Sequence, residues 1–166
     1  DQKGTYNLIT PVKRKQALAL AREGFSVSMA HSEEYQPTAD NPQPMIRKTL
    51  RAGTTAPAVG VGGTADSVSV AYHGYGHTHM DTLCHFLYDG KMYNGYPAGE
   101  VTDEGAAKNS IINFKEGVIT RGVLMDMARY KGVDYLEPGT AIYPEDLEGW
   151  EKMAGVKVQA GDVMLV

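Results

Sequence analysis

Cysteine is almost absent from this chain of 166 residues, and Cys84 is the single example. One thiol cannot build an intrachain disulfide framework. The length is sufficient for one domain with its own apolar core. We expect Cys84 to be a small buried packing residue, with a role as an extra ligand or a nucleophile as the less favoured alternative.

Long apolar runs and runs of basic residues are also missing. No stretch has the length of a transmembrane helix and none resembles a signal peptide, so we expect a cytoplasmic protein. The net charge of −4 without basic clusters argues against nucleic acid and anionic membranes as main partners. We expect a small-molecule substrate and assembly into a homodimer or a higher homo-oligomer.

Histidine is scarce, but it is concentrated in one place. Of the five histidines, four lie within the thirteen residues from 73 to 85, with Asp81 between the third and the fourth. These four are His73, His77, His79 and His85. Neutral imidazole is the commonest protein ligand for zinc and similar ions, and a carboxylate adds a hard oxygen donor. The density favours metal or acid–base chemistry over a structural polar network.

The residues before this cluster predict how it is presented. Residues 67–72 alternate polar and apolar side chains, which indicates a strand. If that strand continued, every second side chain would share one face. The residues on that face would be His73, Tyr75, His77, His79 and Asp81. Gly74 and Gly76 would leave the other face bare, so that backbone or a ligand could approach closely.

His85 follows Asp81 by four residues, which is about one turn of a helix. A helix that began near Thr78 or Asp81 would bring His85 back over the preceding side chains. The pattern therefore predicts a metal ion held at a corner between a strand and a helix.

The segment Thr78-His79-Met80-Asp81, followed by His85, resembles the signature of the cyclase-like metal-dependent hydrolases. That family includes bacterial kynurenine formamidase and isatin hydrolase, and its pattern is His-x-Gly-Thr-His-x-Asp-x-x-x-His. The likeness covers nearly the whole chain. Further landmarks of the family lie in residues 1–7, 89–95, 122–126 and 161–166.

The resemblance implies that His79 and Asp81 are metal ligands and that His85 donates and accepts protons. The family has its first histidine four residues before the second, where this chain has Tyr75. Tyrosine is a poor ligand because its ordinary pKa is near 10. Either His73 or His77 could supply the missing ligand, and the sequence leaves that choice open.

Three aromatic or amide residues are candidates for substrate binding. They are Tyr75, Tyr93 and Asn94. Tyr93 and Asn94 follow the turn Asp89-Gly90, which predicts a hairpin, so turn structure alone would also explain them.

The fold class that the patterns predict is mixed, α/β or α+β. The resemblance implies a swivelling β/β/α domain with a central, barrel-like, mostly β sheet and flanking helices, in a single domain over residues 1–166. The chain starts without methionine and ends within the apolar run Val163–Val166. We therefore expect an N-terminal fragment of a longer chain that carries further ligands or catalytic groups.

Two helices have clear end signals. Thr10 and Pro11 predict the start of a helix that continues through Lys13–Glu23 to a stop at Gly24. A second helix is predicted from Pro144 to Gly155, with Trp150 and Met153 packed inward.

Apolar runs predict five further strands. They cover residues 25–29, 111–114, 118–127, 156–158 and 163–166. Asp126, at the end of one run, could support a metal-bound histidine or cap the following turn. Residues 31–57 are polar and rich in proline, which is typical of a lid, a binding loop or a solvated arm.

The function predicted from these residues is hydrolysis of a C–N amide bond, in a formamide or a lactam, or of a related ester or lactone, by water that a divalent ion activates. Zinc and manganese are the metals we expect first. One alternative is a metal-binding or ligand-binding module without catalysis. The other is a metal-free cyclase or dehydratase that uses the histidines as acid and base.

Overall fold

A computed structural model describes all 166 residues. Their contacts form two compact units, which are described separately: unit one is residues 1–24 and 82–166, and unit two is residues 25–81. The helices and strands in chain order are α1 (Pro11–Leu18), β1 (Ile46–Arg51), β2 (Ala65–Ser69), β3 (Val101–Thr102), β4 (Gly105–Ala106), β5 (Gly122–Leu124), α2 (Met127–Lys131), α3 (Pro144–Ala154) and β6 (Val163–Leu165).

Helix α1 of unit one starts as the sequence predicts. The side chain of Thr10 accepts a hydrogen bond from the backbone N–H of Lys13 over 3.1 Å, and Pro11 follows it at the first helical position. The predicted continuation to Glu23 is wrong, because the helix ends at Leu18. Its apolar side chains are largely exposed, so no core contact supports further turns, and short unpacked helices are marginal in water.

The core of unit one forms around α2 and α3. Its buried residues are Val123, Met125, Met127 and Trp150. Helix α3 begins at Pro144, and Gly155 ends it with a left-handed φ of 64°, so both predicted end signals are confirmed. Trp150 packs inward as predicted. Met153 is 53% exposed, so its predicted inward packing is wrong.

The predicted strands of unit one form only in part. β5 lies within 118–127 and β6 within 163–166, and the two pair in parallel with Val123 opposite Met164. Residues 111–114 form a 3-10 helix and residues 156–158 form no strand. Short apolar runs do not distinguish a strand from other structure, because a strand also needs a partner for its backbone hydrogen bonds.

The turn predicted at Asp89-Gly90 is present in unit one. The backbones of Tyr88 and Lys91 exchange hydrogen bonds of 2.8 and 3.0 Å around Asp89 and Gly90, which confirms the tight turn. Both central residues have positive φ, as a type I′ turn requires.

Asp126 caps α2 by accepting a hydrogen bond from the N–H of Arg129 over 2.9 Å, so capping is the role seen.

Unit two contains one antiparallel pair of strands. β1 pairs with β2, with Ile46 opposite Ser69 and Arg47 opposite Val68. The strand predicted over residues 67–72 is present but shifted toward the N-terminus, and the strand predicted over residues 25–29 does not form. β2 delivers the chain to the histidine-rich segment.

The mixed α/β class is confirmed. The strands form three sheets of two strands each, so no closed barrel is found and the barrel-like central sheet stays a prediction. The single domain over residues 1–166 also stays a prediction. None of the helices combines the length and the apolar character that crossing a membrane demands.

Candidate metal centre

The histidine-rich segment of unit two is a loop and not a continued strand. β2 ends at Ser69, and Gly74 has a φ of 112°, which interrupts an extended chain. The predicted continuation of the strand to Asp81 is therefore wrong. The helix predicted to begin near Thr78 or Asp81 is present only as the short 3-10 helix Leu83–His85. The side chains meet through the path of the loop instead of through alternation along a strand.

Gly76 brings the loop into close contact with another segment of unit two. A Cβ atom at Gly76 would lie 2.7 Å from Cβ and Cγ of Asn41, whose side chain is buried. A Cβ atom at Gly74 would have no such neighbour within 4 Å. A close approach is thus seen at Gly76 alone, and it is made by a side chain and not by the backbone or ligand that the sequence predicted.

His79 is held in one tautomer. Its Nδ1 lies 2.8 Å from the carbonyl oxygen of His77. A carbonyl oxygen only accepts, so Nδ1 must carry the proton and donate. The neutral ring then has its lone pair on Nε2, which is 3.6 Å from Oδ2 of Asp81. A histidine that binds metal through one nitrogen usually donates from the other in this way.

His73 completes a group with His79 and Asp81. Its Nδ1 lies 3.0 Å from Oδ1 of Asp81. The ligand atoms of these three residues all lie within 4.8 Å of one another. The ring of Tyr72 packs against both imidazoles, with centroid separations of 4.6 Å to His73 and 5.6 Å to His79.

The donor set fits a divalent ion. Nitrogen and carboxylate ligands bind zinc at about 2.0–2.2 Å, which places the donors of one ion roughly 3–4 Å apart. The separations of 3.0 Å from His73 to Oδ1 of Asp81 and of 3.6 Å from His79 to Oδ2 lie in that range, and the ligand atoms of all three residues lie within 4.8 Å of one another. Two neutral imidazoles and one carboxylate leave a net positive charge on a bound divalent ion, and three protein ligands leave a position open.

His77 lies apart from this group. Its side chain is 3% exposed, its Nδ1 contacts the Glu33 carboxylate, and its Nε2 lies 3.4 Å from the carbonyl oxygen of Gln43. The hydrogen bond to Glu33 raises the pKa of His77 above its ordinary value, because it favours the charged ring over the opposing effect of burial. Both ring nitrogens of His77 are engaged by Glu33 and Gln43, and His77 does not belong to the group formed by His73, His79 and Asp81.

Two clefts of unit two border the group. His73 lines a cleft of about 510 Å³ together with Asn41 and His77. His79 lines another of about 360 Å³ together with Glu33 and Tyr72.

The other predicted site residues lie elsewhere. Tyr75 is 95% exposed in unit two. In unit one, the hydroxyl of Tyr93 donates to Oδ2 of Asp1 over 2.9 Å, and the amide of Asn94 donates to the carbonyl oxygen of Asp1 over 3.1 Å. These contacts fit the structural alternative for Tyr93 and Asn94. Substrate binding by the three residues stays a prediction.

His85 and Cys84 belong to a short 3-10 helix of unit one, Leu83–His85. The His85 residue is exposed, and its backbone N–H donates to the carbonyl oxygen of Thr82 over 3.0 Å. Cys84 is buried, with 5% exposed, and is a free thiol, as expected for a packing residue.

Two residues that contact the candidate ligands were missed by the sequence reasoning. Tyr72 directly precedes His73, and its position at the end of the alternating polar and apolar run was a signal that it lies beside the candidate ligands. Glu33 lies forty-four positions before His77, in the polar segment with no regular pattern. No local signal marked it.

Comparison with known proteins supports the resemblance. A family model described as "Putative cyclase" matches residues 16–166. A solved structure titled as the crystal structure of a novel cyclase superposes with a TM-score of 0.87 at 30% sequence identity. The alignment covers 99% of this chain and 57% of that one, so this chain spans little more than half of the relative's length. No curated protein matches.

Proposed function

Because the chain belongs to the cyclase family, we propose that it is a metal-dependent hydrolase that cleaves a C–N amide bond, in a formamide or a lactam, or a related ester or lactone. One observation carries the proposal. The ligand atoms of His73, His79 and Asp81 all lie within 4.8 Å of one another, so two imidazoles and a carboxylate gather in one place. Such a set of nitrogen and oxygen donors suits a divalent cation.

Under this proposal His79, Asp81 and His73 hold the divalent ion. His73 is preferred to His77 because Glu33 and Gln43 already engage both nitrogens of the His77 ring. Nitrogen and carboxylate donors suit zinc or manganese. Three protein ligands would leave a position for water, as in a catalytic zinc site, whereas a structural zinc site is closed by a fourth protein ligand.

A bound divalent ion would lower the pKa of water toward 7 and polarise the carbonyl group of the substrate. The protein residues supply the remaining steps. His79 is kept from turning by its hydrogen bond to the His77 carbonyl oxygen. His85, whose role comes from the sequence resemblance, accepts the proton of the attacking water and then donates it to the leaving nitrogen or oxygen.

A metal-free cyclase or dehydratase is the second candidate, and one contact favours it. Nδ1 of His73 lies 3.0 Å from Oδ1 of Asp81, which is the geometry of an imidazole oriented by a carboxylate. Such a pair can transfer protons without an ion.

Metal analysis combined with activity assays separates these functions. The purified full chain is assayed for metal content and for hydrolysis of N-formylkynurenine, isatin-like lactams and simple aryl esters. It is then stripped with a chelator and reloaded with Zn²⁺ or Mn²⁺. Hydrolysis that is lost on stripping and restored on reloading is expected. Activity retained without metal would favour the second candidate, and bound metal without turnover would indicate a binding module.

A further inference from the structure

Four residues between positions 31 and 43 contact the loop that carries the candidate ligand His79. They are His31, Glu33, Asn41 and Gln43. The N–H of His31 donates to Oγ1 of Thr78 over 3.3 Å, and Asn41 packs against Gly76. The remaining two contact the ring of His77. The polar segment that the sequence left unassigned therefore contacts three consecutive residues of the loop.

Glu33 makes the one side-chain hydrogen bond to the His77 ring. The carboxylate accepts from Nδ1 of His77, on a side chain that is 3% exposed, while Gln43 offers a longer backbone contact of 3.4 Å. A charge-assisted hydrogen bond is about twice as strong as a neutral one. Glu33 is therefore the main restraint on the orientation of the buried ring.

The orientation of the His77 side chain matters to His79 because His77 makes two contacts. Its ring binds Glu33, and its backbone carbonyl oxygen accepts the Nδ1–H of His79. If the ring of His77 were released, its backbone carbonyl could turn away. His79 would then be free to carry its proton on Nε2, and that tautomer presents no lone pair to Asp81.

We propose that Glu33 is a positioning residue, which acts through His77 to hold His79 as the Nδ1–H tautomer with Nε2 ready for a divalent cation. This inference rests on the proposed function, in which His79 is a metal ligand. It assigns a role to a residue outside the group of three candidate ligands. Partners of metal-bound histidines typically contribute about 10- to 100-fold to metal affinity.

The test compares three variants with the unchanged full chain. Glu33→Ala removes the restraint, Glu33→Gln keeps an oxygen that can accept from His77, and Glu34→Ala removes the neighbouring exposed acid as a matched control. Affinity for Mn²⁺ alone is measured by titration. The visible spectrum of bound Co²⁺ reports ligand geometry, and ¹⁵N NMR of the metal-free protein reports the tautomer of His79.

We expect Glu33→Ala to weaken Mn²⁺ binding by about 10- to 100-fold, to change the Co²⁺ spectrum and to shift His79 toward a mixture of tautomers. Glu33→Gln should restore most of each property, and Glu34→Ala should match the parent. If Glu33→Ala does not fold, His77→Phe keeps a ring of similar shape without the hydrogen bond, and the same losses are expected.

Unchanged Mn²⁺ affinity and an unchanged His79 tautomer in Glu33→Ala would overturn the inference. Failure of the proposed function gives a different result. A parent protein that binds Mn²⁺ but hydrolyses nothing disproves the hydrolase and leaves the affinity test intact. A parent that binds no metal removes the metal centre, and the NMR measurement still shows whether Glu33 sets the tautomer.

Discussion

Gly76 and Asn41 pack so closely that no side chain fits at position 76. The Cβ position of Gly76 lies 2.7 Å from Cβ and Cγ of Asn41. Real Cβ atoms do not approach other carbon atoms so closely, because repulsion rises steeply inside the van der Waals distance. The contact sets the backbone path one residue before His77, whose carbonyl oxygen accepts from His79.

We expect Gly76→Ala to displace this backbone and weaken Mn²⁺ binding by about ten-fold, similar to the loss of an outer partner of a ligand. Overpacking also costs about 1–3 kcal/mol of stability. Titration with Mn²⁺ and urea unfolding measure the two effects.

The double variant Gly76→Ala with Asn41→Gly provides the control. Asn41→Gly removes the two carbon atoms that the new methyl group would meet, so the double variant should recover much of the affinity lost in Gly76→Ala. Strictly additive effects of the two changes would mean that the contact with Asn41 is not the cause.

Each of the three variants His73→Ala, His79→Ala and Asp81→Ala should lose most of the affinity for metal. Removal of a hydrogen-bond partner of a metal ligand typically weakens metal binding about 10- to 100-fold. Removal of the ligand itself should weaken binding at least as much, because a donor atom is lost. Metal content after dialysis is the measurement, and His31→Ala is the control, since its histidine lies outside the group. Full metal content in the Asp81→Ala protein would contradict the proposed centre.

His85→Ala should retain the metal and lose turnover. Removal of a group that transfers protons typically lowers the rate by about 10² to 10⁴. Metal content and kcat are measured on the same preparation, with the parent as reference. A variant with the kcat of the parent would remove His85 from the mechanism.

Asp162 should make unit one sensitive to acid. The side chain is fully buried, Lys13 lies 2.5 Å from it, and Arg121 donates two hydrogen bonds to it. The hydrogen bonds from Arg121 hold its pKa well below the usual range. Because the folded-state pKa is lowered, this stabilisation is fully present above the unfolded-state pKa of about 3.9 and is lost as the pH falls below it.

Asp162→Asn should lower the free energy of unfolding by about 3–5 kcal/mol at neutral pH, because it leaves the buried ammonium group of Lys13 without its charged partner. The variant should also show a flatter stability curve below pH 4 or so. Urea unfolding across the acid range is the measurement. Asp103→Asn, at an exposed position, should stay within about 0.5 kcal/mol of the parent. Equal effects of the two changes would argue against the buried ion pair.

Three of the four helix ends were predicted well from local signals, whereas the predicted stop at Gly24 was wrong because α1 ends at Leu18. Thr10 with Pro11 and Gly155 each mark a helix end as expected, because a cap satisfies backbone groups through residues adjacent in sequence. Strands were predicted less well. Residues 111–114 have the composition of a strand, yet they form a 3-10 helix, because strand formation depends on a partner distant in sequence.

By itself the sequence determined the family and the residue types of the candidate centre, since imidazoles and a carboxylate at that spacing carry their ligand chemistry wherever the chain places them. Only the tertiary structure decided which histidine lies near Asp81. The alternation argument placed His73 and His77 on one face, but Gly74 breaks the extended path and Glu33 engages the His77 ring. Contacts between residues 31–43 and 76–79 depend on the folded path of the loop, so no local pattern could reveal them.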